Sequence, residues 1–403
     1  MTKFILFLLS FTSLFNSVFG TSVLKGGYKL DGEKLTAAVT ASNEARIEKG
    51  TVSGAHEIVI QSGKTVLDEV FGFSSADGTK LEKDALYRIA SMTKPVTAVA
   101  LLIEYSRGNL DIYDDVSKYI PAFADMTVQV KDKDGSVTGV KKAENSIKVY
   151  QLVSHFSGVG EVDVSAFDGK ELTVATACEW LSRQPLHFEP GTQSEYSTGA
   201  FDVAAHIIEL TSGMEFEEYL KANIFDKLGM TDTTFEPDAA QKARFVKMHG
   251  LNGNTVVDIP MPENCVFGNF PETYHAAGAA LASTAYDYLK FAKMLLNGGK
   301  AEDGTEILPA DVLKLMSTPV PDNNKNDSTK WGLAVRVVCK NGNLPKGTFG
   351  WSGAYGSHFW IDPANEIAAV YMKNSSYDGG AGNQSATEFE NDVMGSLSLK
   401  RNR

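Results

Sequence analysis

The sequence predicts an α/β fold in which strands from both ends of the chain form one sheet and a mainly helical insert lies between them. Strand-like segments occur near both ends, whereas apolar residues in the middle follow helical spacing. The chain has 403 residues, 43% of them hydrophobic, which is enough for a large core. We assign the α/β part to about residues 21–110 and 276–403, and the insert to about residues 111–275.

Residues 1–20, MTKFILFLLSFTSLFNSVFG, predict a secretory signal peptide. One lysine precedes a long apolar run, which ends at small residues suited to cleavage near Gly20. An uncleaved membrane anchor is the alternative. A cleaved signal makes the protein secreted or periplasmic/extracellular, and no later segment is apolar enough to predict a transmembrane span.

The elements that precede the insert follow from local pattern. KLTAAVTASNEARIEKG has helical spacing, and HEIVIQSGKTVLDEVFGFS predicts a hairpin around a Ser-Gly turn. The next helix must begin within a few residues of Ser91, because Pro95 fits only a first turn. We expect that helix to end near Ser106.

Helical patterns continue through the insert and just beyond it, as in FDVAAHIIELTSGMEFEEYLKANIF and STAYDYLKFAKMLLNGG. Three later segments are typical of strands: KWGLAVRVVCK, GTFGWSGAYGSHFWIDP and NEIAAVYMKN, the last two joined by the turn signal DPANE. Active sites often lie between two such parts of a protein, so we expect one between the α/β part and the insert.

Composition narrows the function classes. A net charge of −12 argues against nucleic acid as a partner. The three cysteines, Cys178, Cys265 and Cys339, allow at most one disulfide, whose pairing stays open. Three sequons, at Asn326, Asn374 and Asn383, are glycan acceptors only if the host glycosylates.

Metal and nucleotide motifs are missing from the sequence. It contains no H-E-x-x-H, P-loop or G-x-G-x-x-G, and its seven histidines lack metal-ligand spacing. His155 and His358 lie in the most suggestive surroundings, but each is interpreted as a hydrogen-bonded structural histidine. The sequence therefore offers no motif for a metal or an organic cofactor, and the oligomeric state stays open.

The stretch YRIASMTKPVTAVALL places Ser91 and Lys94 three residues apart at the start of the predicted helix. Residues at this spacing share a helix face, so the lysine could accept the seryl proton if it is partly neutral. The helix N-terminus would favour a developing oxyanion. The alternative is that Ser91 caps the helix and Lys94 is a solvated surface residue.

Two further stretches carry candidate residues. In HFEPGTQSEYSTGAF, the phenol of Tyr196 near a lysine could relay a proton, although a core tyrosine bonded to backbone is the alternative. In GTFGWSGAYGSHFW, small residues around Gly353 would let a substrate approach, or mark a β-bulge. This stretch nearly matches the nucleophile elbow G-x-S-x-G, but strand-like flanks argue against Ser352 as a nucleophile.

The motifs SMTK, YST and WSG, in this order, resemble those of the serine β-lactamase-related superfamily. The similarity is to its branch of class C β-lactamases, serine carboxylesterases and D-stereospecific peptidases. It covers roughly residues 35–395 and includes LVSHFSGVG, FDKLGMTDTTF and AAGAALASTAYDYLKFAKMLLNGG. The resemblance implies a β-lactamase/transpeptidase-like fold: an antiparallel sheet flanked by helices, plus a mainly helical insert.

The resemblance also implies roles for individual residues. Ser91 would be the acyl-enzyme nucleophile, Lys94 its proton acceptor, and Tyr196 the partner base and leaving-group acid. The N–H groups of Ser91 and Ala354 would form the oxyanion hole. The substrate pocket would include four more residues: Trp351, Ser352, Gly353 and Thr198.

Two departures from the family pattern bear on the substrate. Thr198 stands where penicillin-recognising members have asparagine, and Trp351 stands where they have lysine or histidine. Loss of that cation should weaken binding of anionic β-lactams, and tryptophan here resembles the esterases. We therefore favour a secreted serine hydrolase acting on small esters. The alternatives are a β-lactamase, a D-amino-acid peptidase, or an inactive family member that serves as a binding scaffold.

Overall fold

A computed structural model describes residues 27–167, 171–261, 265, 273–322 and 327–399. The predicted signal peptide therefore lies outside the described residues. The described strands are β1 Tyr28–Leu30, β2 Gly54–Gln61, β3 Lys64–Gly72, β4 Leu86–Arg88, β5 Thr127–Lys131, β6 Val137–Lys142, β7 Met248–Asn252, β8 Thr255–Ile259, β9 Ala282–Thr284, β10 Thr329–Trp331, β11 Arg336–Val338, β12 Phe349–Ser352, β13 His358–Asp362, β14 Ile367–Met372 and β15 Leu397–Leu399.

The described α-helices are α1 Gly32–Glu48, α2 Thr93–Ser106, α3 Val149–Ser154, α4 Val174–Leu181, α5 Gly199–Ser212, α6 Phe216–Leu220, α7 Asp226–Leu228, α8 Ala239–Ala243, α9 Ala285–Leu296, α10 Ala310–Met316 and α11 Gln384–Gly395. In this part of the chain, no helix combines the length and apolarity needed to cross a bilayer.

One seven-stranded antiparallel sheet organises the molecule, in the order β10-β11-β12-β13-β14-β2-β3. Strand β14 pairs with β2, for example Val370 with Ile58, so the two ends of the chain meet in this sheet. The predicted fold class, an antiparallel sheet flanked by helices, is confirmed.

Helices cover both faces of the sheet. Apolar residues of α1 and α11, such as Val39 and Phe389, pack with Trp360 and Tyr371 on one face. A larger core on the other face joins the sheet to α2, α5 and α9. Because this core includes residues from both of the predicted parts, the two parts share buried surface. The boundaries of the insert stay a prediction.

The local expectations agree with the structure at most elements. The Ser62–Gly63 turn joins β2 and β3, and the helix containing Pro95 spans Thr93–Ser106. The segment KWGLAVRVVCK differs, because a turn divides it into β10 and β11. Gly332 closes that turn: its N–H donates to Val335 O, and a Cβ at Gly332 would lie 2.2 Å from Met316 O.

The cysteines and sequons can also be placed. Cys178, Cys265 and Cys339 are all free thiols. Asn374 is fully buried and Asn383 nearly so, and both side-chain amides donate to backbone carbonyls. Neither is accessible to a glycosylating enzyme in the folded chain. Asn326 lies outside the described residues.

Candidate active site

Ser91 lies in a 3₁₀ turn, Ala90–Met92, immediately before helix α2. The residue before it, Ala90, has φ of 44°, a left-handed conformation that is strained for a residue with a side chain. The hydroxyl of Thr93 donates to Ala90 O at 2.7 Å and closes the turn. Ser91 does not cap the helix, because the N-cap residue is Met92 and makes no side-chain cap bond.

Lys94 is fully buried, which contradicts the alternative of a solvated surface lysine. Its Nζ donates to Gly278 O at 2.7 Å, to Thr198 Oγ1 at 3.3 Å and to Ser91 Oγ at 3.4 Å. Three oxygen acceptors match the three N–H donors of an ammonium group. The lysine is thus held against the serine by a preformed cradle.

Tyr196 completes the cluster. Its hydroxyl donates to Ser91 Oγ at 2.5 Å, and its ring centroid lies 4.6 Å from Lys94 Nζ. The residue is 40% exposed, so it is not a core tyrosine tied to backbone. The structure therefore brings together the serine, lysine and tyrosine that the sequence singled out.

His155, interpreted from sequence as structural, lies directly behind Tyr196. The two ring centroids are 4.6 Å apart, and His155 Nδ1 accepts the Ser197 N–H at 3.2 Å. This bond assigns the imidazole proton to Nε2. Burial, together with the charges of Lys94 and Arg336, holds the pKa of His155 well below its usual value. A neutral imidazole therefore supports the residues around Tyr196.

Strand β12 ends beside the turn that contains Ser91. A Cβ on Gly353 would lie 2.3 Å from Ile89 O and 2.3 Å from Ser357 Oγ, so only glycine fits between strand and turn. The Gly353 N–H donates to Ser357 O at 2.7 Å, and Ser357 Oγ donates to Ile89 O at 3.2 Å. These contacts place Ala354 at the same cavity as Ser91.

A cavity of about 680 Å³ opens at Ser91. The wall near the serine is aromatic. The ring centroids of Trp331 and Trp351 lie 4.7 Å apart, and the Trp331 ring stacks on Tyr196 with the centroids 6.1 Å apart. Among the predicted pocket residues, Trp351 and Ser352 line this cavity. In the described part of the chain, Gly353 and Thr198 do not: the glycine packs on Ile89, and the threonine contacts Lys94.

The side chain of Ser352 points toward a second polar group in the same cavity. Its Oγ bonds His358 Nδ1 at 2.7 Å, and His358 Nε2 bonds Glu390 Oε1 at 2.9 Å. Ser352 lies within strand β12 and pairs directly with His358 on β13. Ser352 is the last residue of β12, and the turn after it leads to strand β13 rather than to the helix of a nucleophile elbow, as the strand-like flanks indicated.

The sequence analysis missed several residues that shape the surroundings of Ser91. Trp331, Asp202 and Gly278 come from three distant segments, and only the fold brings them to Ser91. Weak signals exist: Asp202 is an acid inside an otherwise apolar helix face, and Gly278 lies in the small-residue run AAGAALAS. Neither signal identifies its partner.

One group of potential metal ligands occurs among the described residues, formed by Glu217, Glu236 and His275. His275 Nε2 lies 2.9 Å from Glu236, and its Nδ1 lies 3.4 Å from Glu217. The imidazole therefore lies between the two carboxylates, with one ring nitrogen facing each. None of the three lines the cavity at Ser91.

Comparisons with known proteins agree with the fold. The chain is 29% identical to Protein Rv1367c of Mycobacterium tuberculosis over 366 residues, 82% of this chain and 88% of that protein. It is 26% identical to Esterase EstB of Burkholderia gladioli over 392 residues, 88% of this chain and 94% of that one. A putative D-alanyl-D-alanine carboxypeptidase of Escherichia coli is 27% identical over 359 residues, 79% of this chain and 77% of that protein.

A solved structure has the same fold. EstCE1, described as a hydrolase with promiscuous acyltransferase activity, superposes with a TM-score of 0.75 at 20% identity, covering 90% of this chain and 99% of that one. The β-lactamase family model matches residues 39–388, which is most of the sequence. The chain therefore belongs to the β-lactamase family.

Proposed function

We propose that the chain is a serine hydrolase that forms an acyl-enzyme at Ser91 and acts mainly on esters. The observation that carries this proposal is the position of Ser91 Oγ, 2.5 Å from the Tyr196 hydroxyl and 3.4 Å from Lys94 Nζ, at the mouth of an aromatic cavity. A nucleophile within reach of two proton-transfer groups is the usual arrangement for acyl transfer.

In acylation, Tyr196 acts in its deprotonated form beside Lys94: Ser91 Oγ attacks the ester carbonyl carbon while the seryl proton passes to the phenolic oxygen of Tyr196. The N–H groups of Ser91 and Ala354 stabilise the negative oxygen of the tetrahedral intermediate. Collapse of the intermediate breaks the ester C–O bond, and Tyr196 returns the proton to the leaving alcohol. Attack by water, activated by the same pair, then releases the acid and restores the serine.

The cavity supports an ester with an apolar acyl group. Trp351 and Trp331 present aromatic surface beside Tyr196. A lysine or histidine in place of Trp351 would instead favour anionic substrates. The Thr198 hydroxyl accepts a hydrogen bond from Lys94 Nζ, and the residue is not among those that line the cavity in the described part of the chain. A volume of about 680 Å³ accommodates a substrate larger than a short-chain ester.

A specific observation favours a second candidate, hydrolysis of a peptide that ends in a free carboxylate. Arg336 of β11 lines the cavity, with its guanidinium 4.6 Å from the Trp331 ring. Guanidinium groups bind carboxylates with paired hydrogen bonds, and Arg336 would supply a cation that Trp351 lacks. The Escherichia coli relative carries the name of a carboxypeptidase.

The test compares p-nitrophenyl butyrate, a chromogenic cephalosporin and a peptide ending in D-alanine, each with and without Ser91→Ala. Ester turnover that disappears in S91A supports the main proposal. Peptide turnover that Arg336→Gln lowers at least tenfold, with ester turnover unchanged, would favour the second candidate. No Ser91-dependent turnover, and no labelling of Ser91 by a fluorophosphonate, would instead indicate the inactive scaffold.

We further propose that the protein is exported, on the strength of the signal-like N-terminal sequence alone. Mass spectrometry of the protein recovered from its native host tests this proposal. A mature chain beginning near Thr21 and found outside the cytoplasm is the expected result. An intact N-terminus in a membrane fraction would support the anchor instead.

A further inference from the structure

The carbonyl of Gly278 is the nearest hydrogen-bond acceptor of Lys94, at 2.7 Å against 3.3 Å and 3.4 Å for the other two. Its position therefore has the largest influence on where the Lys94 ammonium lies. Gly278 follows the segment Tyr274–Ala277 and belongs to no helix or strand. The backbone hydrogen bonds of a helix or strand therefore do not hold this carbonyl in place, and contacts from other parts of the chain must do so.

Asp202 of helix α5 holds that segment at two points. One carboxylate oxygen accepts the Ala277 N–H at 2.8 Å, and the other accepts the Tyr274 hydroxyl at 2.7 Å. The hydroxyl of Thr97, on the same helix as Lys94, donates to Ala277 O at 2.6 Å. Asp202, Ala277 and Thr97 are fully buried, so water does not compete for these bonds.

The segment has no room to move independently of Lys94. A Cβ on Gly278 would lie 2.6 Å from Thr198 Cγ2 and 3.2 Å from Lys94 Nζ. A displacement of the segment by a few tenths of an ångström therefore changes the contacts of Lys94. Asp202 itself touches neither Ser91 nor the cavity, so any effect on the reaction passes through Gly278 or through its charge.

The charge of Asp202 also acts on this region. The ionisable groups that face it are Lys94, Glu161, Tyr274 and, on the adjacent helix α4, Cys178. The pKa of Asp202 is raised to about 7, first by burial and to a smaller extent by the charge of Glu161, although the Tyr274 and Ala277 hydrogen bonds and the charge of Lys94 oppose this rise. Both observed hydrogen bonds are donated to the carboxylate, which matches its ionised form.

We propose that Asp202 is a positioning residue for the reaction at Ser91: it fixes the Gly278 carbonyl against Lys94 and supplies the buried negative charge that accompanies the Lys94 ammonium. This inference rests on the proposed function of Ser91, Lys94 and Tyr196. It assigns a role to a residue that none of the three motifs contains.

The test is the pH dependence of kcat/KM for p-nitrophenyl butyrate in Asp202→Asn. Asparagine keeps the size of the side chain and an oxygen for the Ala277 N–H but removes the charge. Loss of a nearby negative charge lowers the pKa of any group that titrates beside it, so the acid limb of the profile moves to lower pH, by on the order of one unit. We expect kcat at pH 8 to fall at least tenfold with little change in KM, because Asp202 does not touch substrate.

Glu57→Gln is the matched control. Glu57 is also fully buried, and its pKa is also raised to about 7, but it lies among residues of α1 and α11 on the opposite face of the sheet. A merely structural effect of removing a buried carboxyl would appear in both variants. We expect the E57Q profile to superpose on that of the unmodified protein.

A second variant covers the case in which D202N does not fold. Tyr274→Phe removes one hydrogen bond to Asp202 and keeps the ring, so it should lower kcat in the same direction by a smaller factor. An unchanged profile in a folded D202N, or an equal shift in E57Q, would overturn the inference. If D202N is unfolded, an unchanged kcat in Y274F would do the same.

A fluorophosphonate label separates this inference from the proposed function. The labelling rate of Ser91 reports its reactivity without requiring turnover, and it should fall in D202N as kcat does. Labelling of the unmodified protein with no difference in D202N overturns only the role of Asp202. A complete lack of labelling of Ser91 in the unmodified protein overturns the proposed function and this inference together.

Discussion

A single hydroxyl group connects Tyr196 to Ser91, so Tyr196→Phe tests its role with little change in packing. The ring contacts with His155, Trp331 and Trp351 remain. Loss of the hydroxyl removes a proton-transfer group, which typically contributes a factor of about 100 to 10,000. We expect kcat for p-nitrophenyl butyrate to fall within that range with little change in Tm. Tyr113→Phe, which alters an exposed tyrosine, is the control.

Gly353 offers a second test at the scale of one residue. In Gly353→Ala, the new Cβ would contact Ile89 O and Ser357 Oγ at 2.3 Å, and the strand end must move away from the Ser91 turn. Because this displacement moves Ala354, kcat/KM should fall at least tenfold. Gly342→Ala is the matched control, since nothing lies within 4 Å of its Cβ position. Equal activity in the two variants would contradict the proposed oxyanion hole.

Among the elements, local pattern predicted those with a strong local cause. Pro95 limited where helix α2 begins, and the Ser-Gly turn identified the β2–β3 hairpin. The turn between β10 and β11 was not predicted, because GLA is a weak turn signal and the Leu333 N–H of this turn donates to a carbonyl far away in the sequence, Met316 O.

The loop before helix α11 depends on one buried ion pair. Lys373 is 2% exposed, and its Nζ donates to Asp378 at 2.8 Å; Asp378 also accepts the Ser385 N–H at the start of the helix. The Gly380 N–H of this loop donates to Gly353 O. Asp378→Ala leaves a buried lysine without its partner, so the free energy of unfolding should fall by about 3 kcal/mol.

Urea unfolding measures this loss, and activity should fall with it because the loop supports Gly353. Asp303→Ala is the control: Asp303 is an exposed acid whose hydrogen-bond partner is the nearby Thr305, so its loss should change stability by less than about 1 kcal/mol. A similar small loss in D378A would mean that Lys373 finds another partner or a neutral form at little cost.

Across the whole molecule, the motif order predicted the residues that cluster at Ser91 but not the residues that hold them in place. Ser91, Lys94 and Tyr196 each belong to a recognisable stretch of sequence. Trp331, Gly278 and Asp202 act through contacts between segments far apart in the chain, and a single sequence does not encode such contacts in local pattern. The neutral state of His155 likewise follows from burial and from two distant cations.

Buried carboxyl groups also make the stability of the whole fold depend on pH. Burial raises the pKa of Glu57 from 4.5 to about 7, although the Asn43 hydrogen bond and the Arg46 charge oppose this rise. A pKa that is higher in the folded than in the unfolded chain means that the folded chain binds the proton more tightly. The resulting stability is fully present below pH 4.5 and is lost as the pH rises through 7.

Glu57→Gln removes this dependence, because glutamine is neutral at every pH. Relative to the unmodified protein, E57Q should gain stability between pH 4.5 and pH 8, by on the order of 3 kcal/mol for a shift of this size. Urea unfolding of both proteins at several pH values measures the difference between their free energies of unfolding. Asp202 is present in both proteins, so its contribution cancels in this difference. Glu69 pairs with Glu57 across strands β2 and β3 but is exposed to solvent. Glu69→Gln is therefore the control, and its effect on stability should not change with pH in this way. A pH-independent difference for E57Q would mean that the buried carboxyl at Glu57 stays charged in the folded chain down to acidic pH.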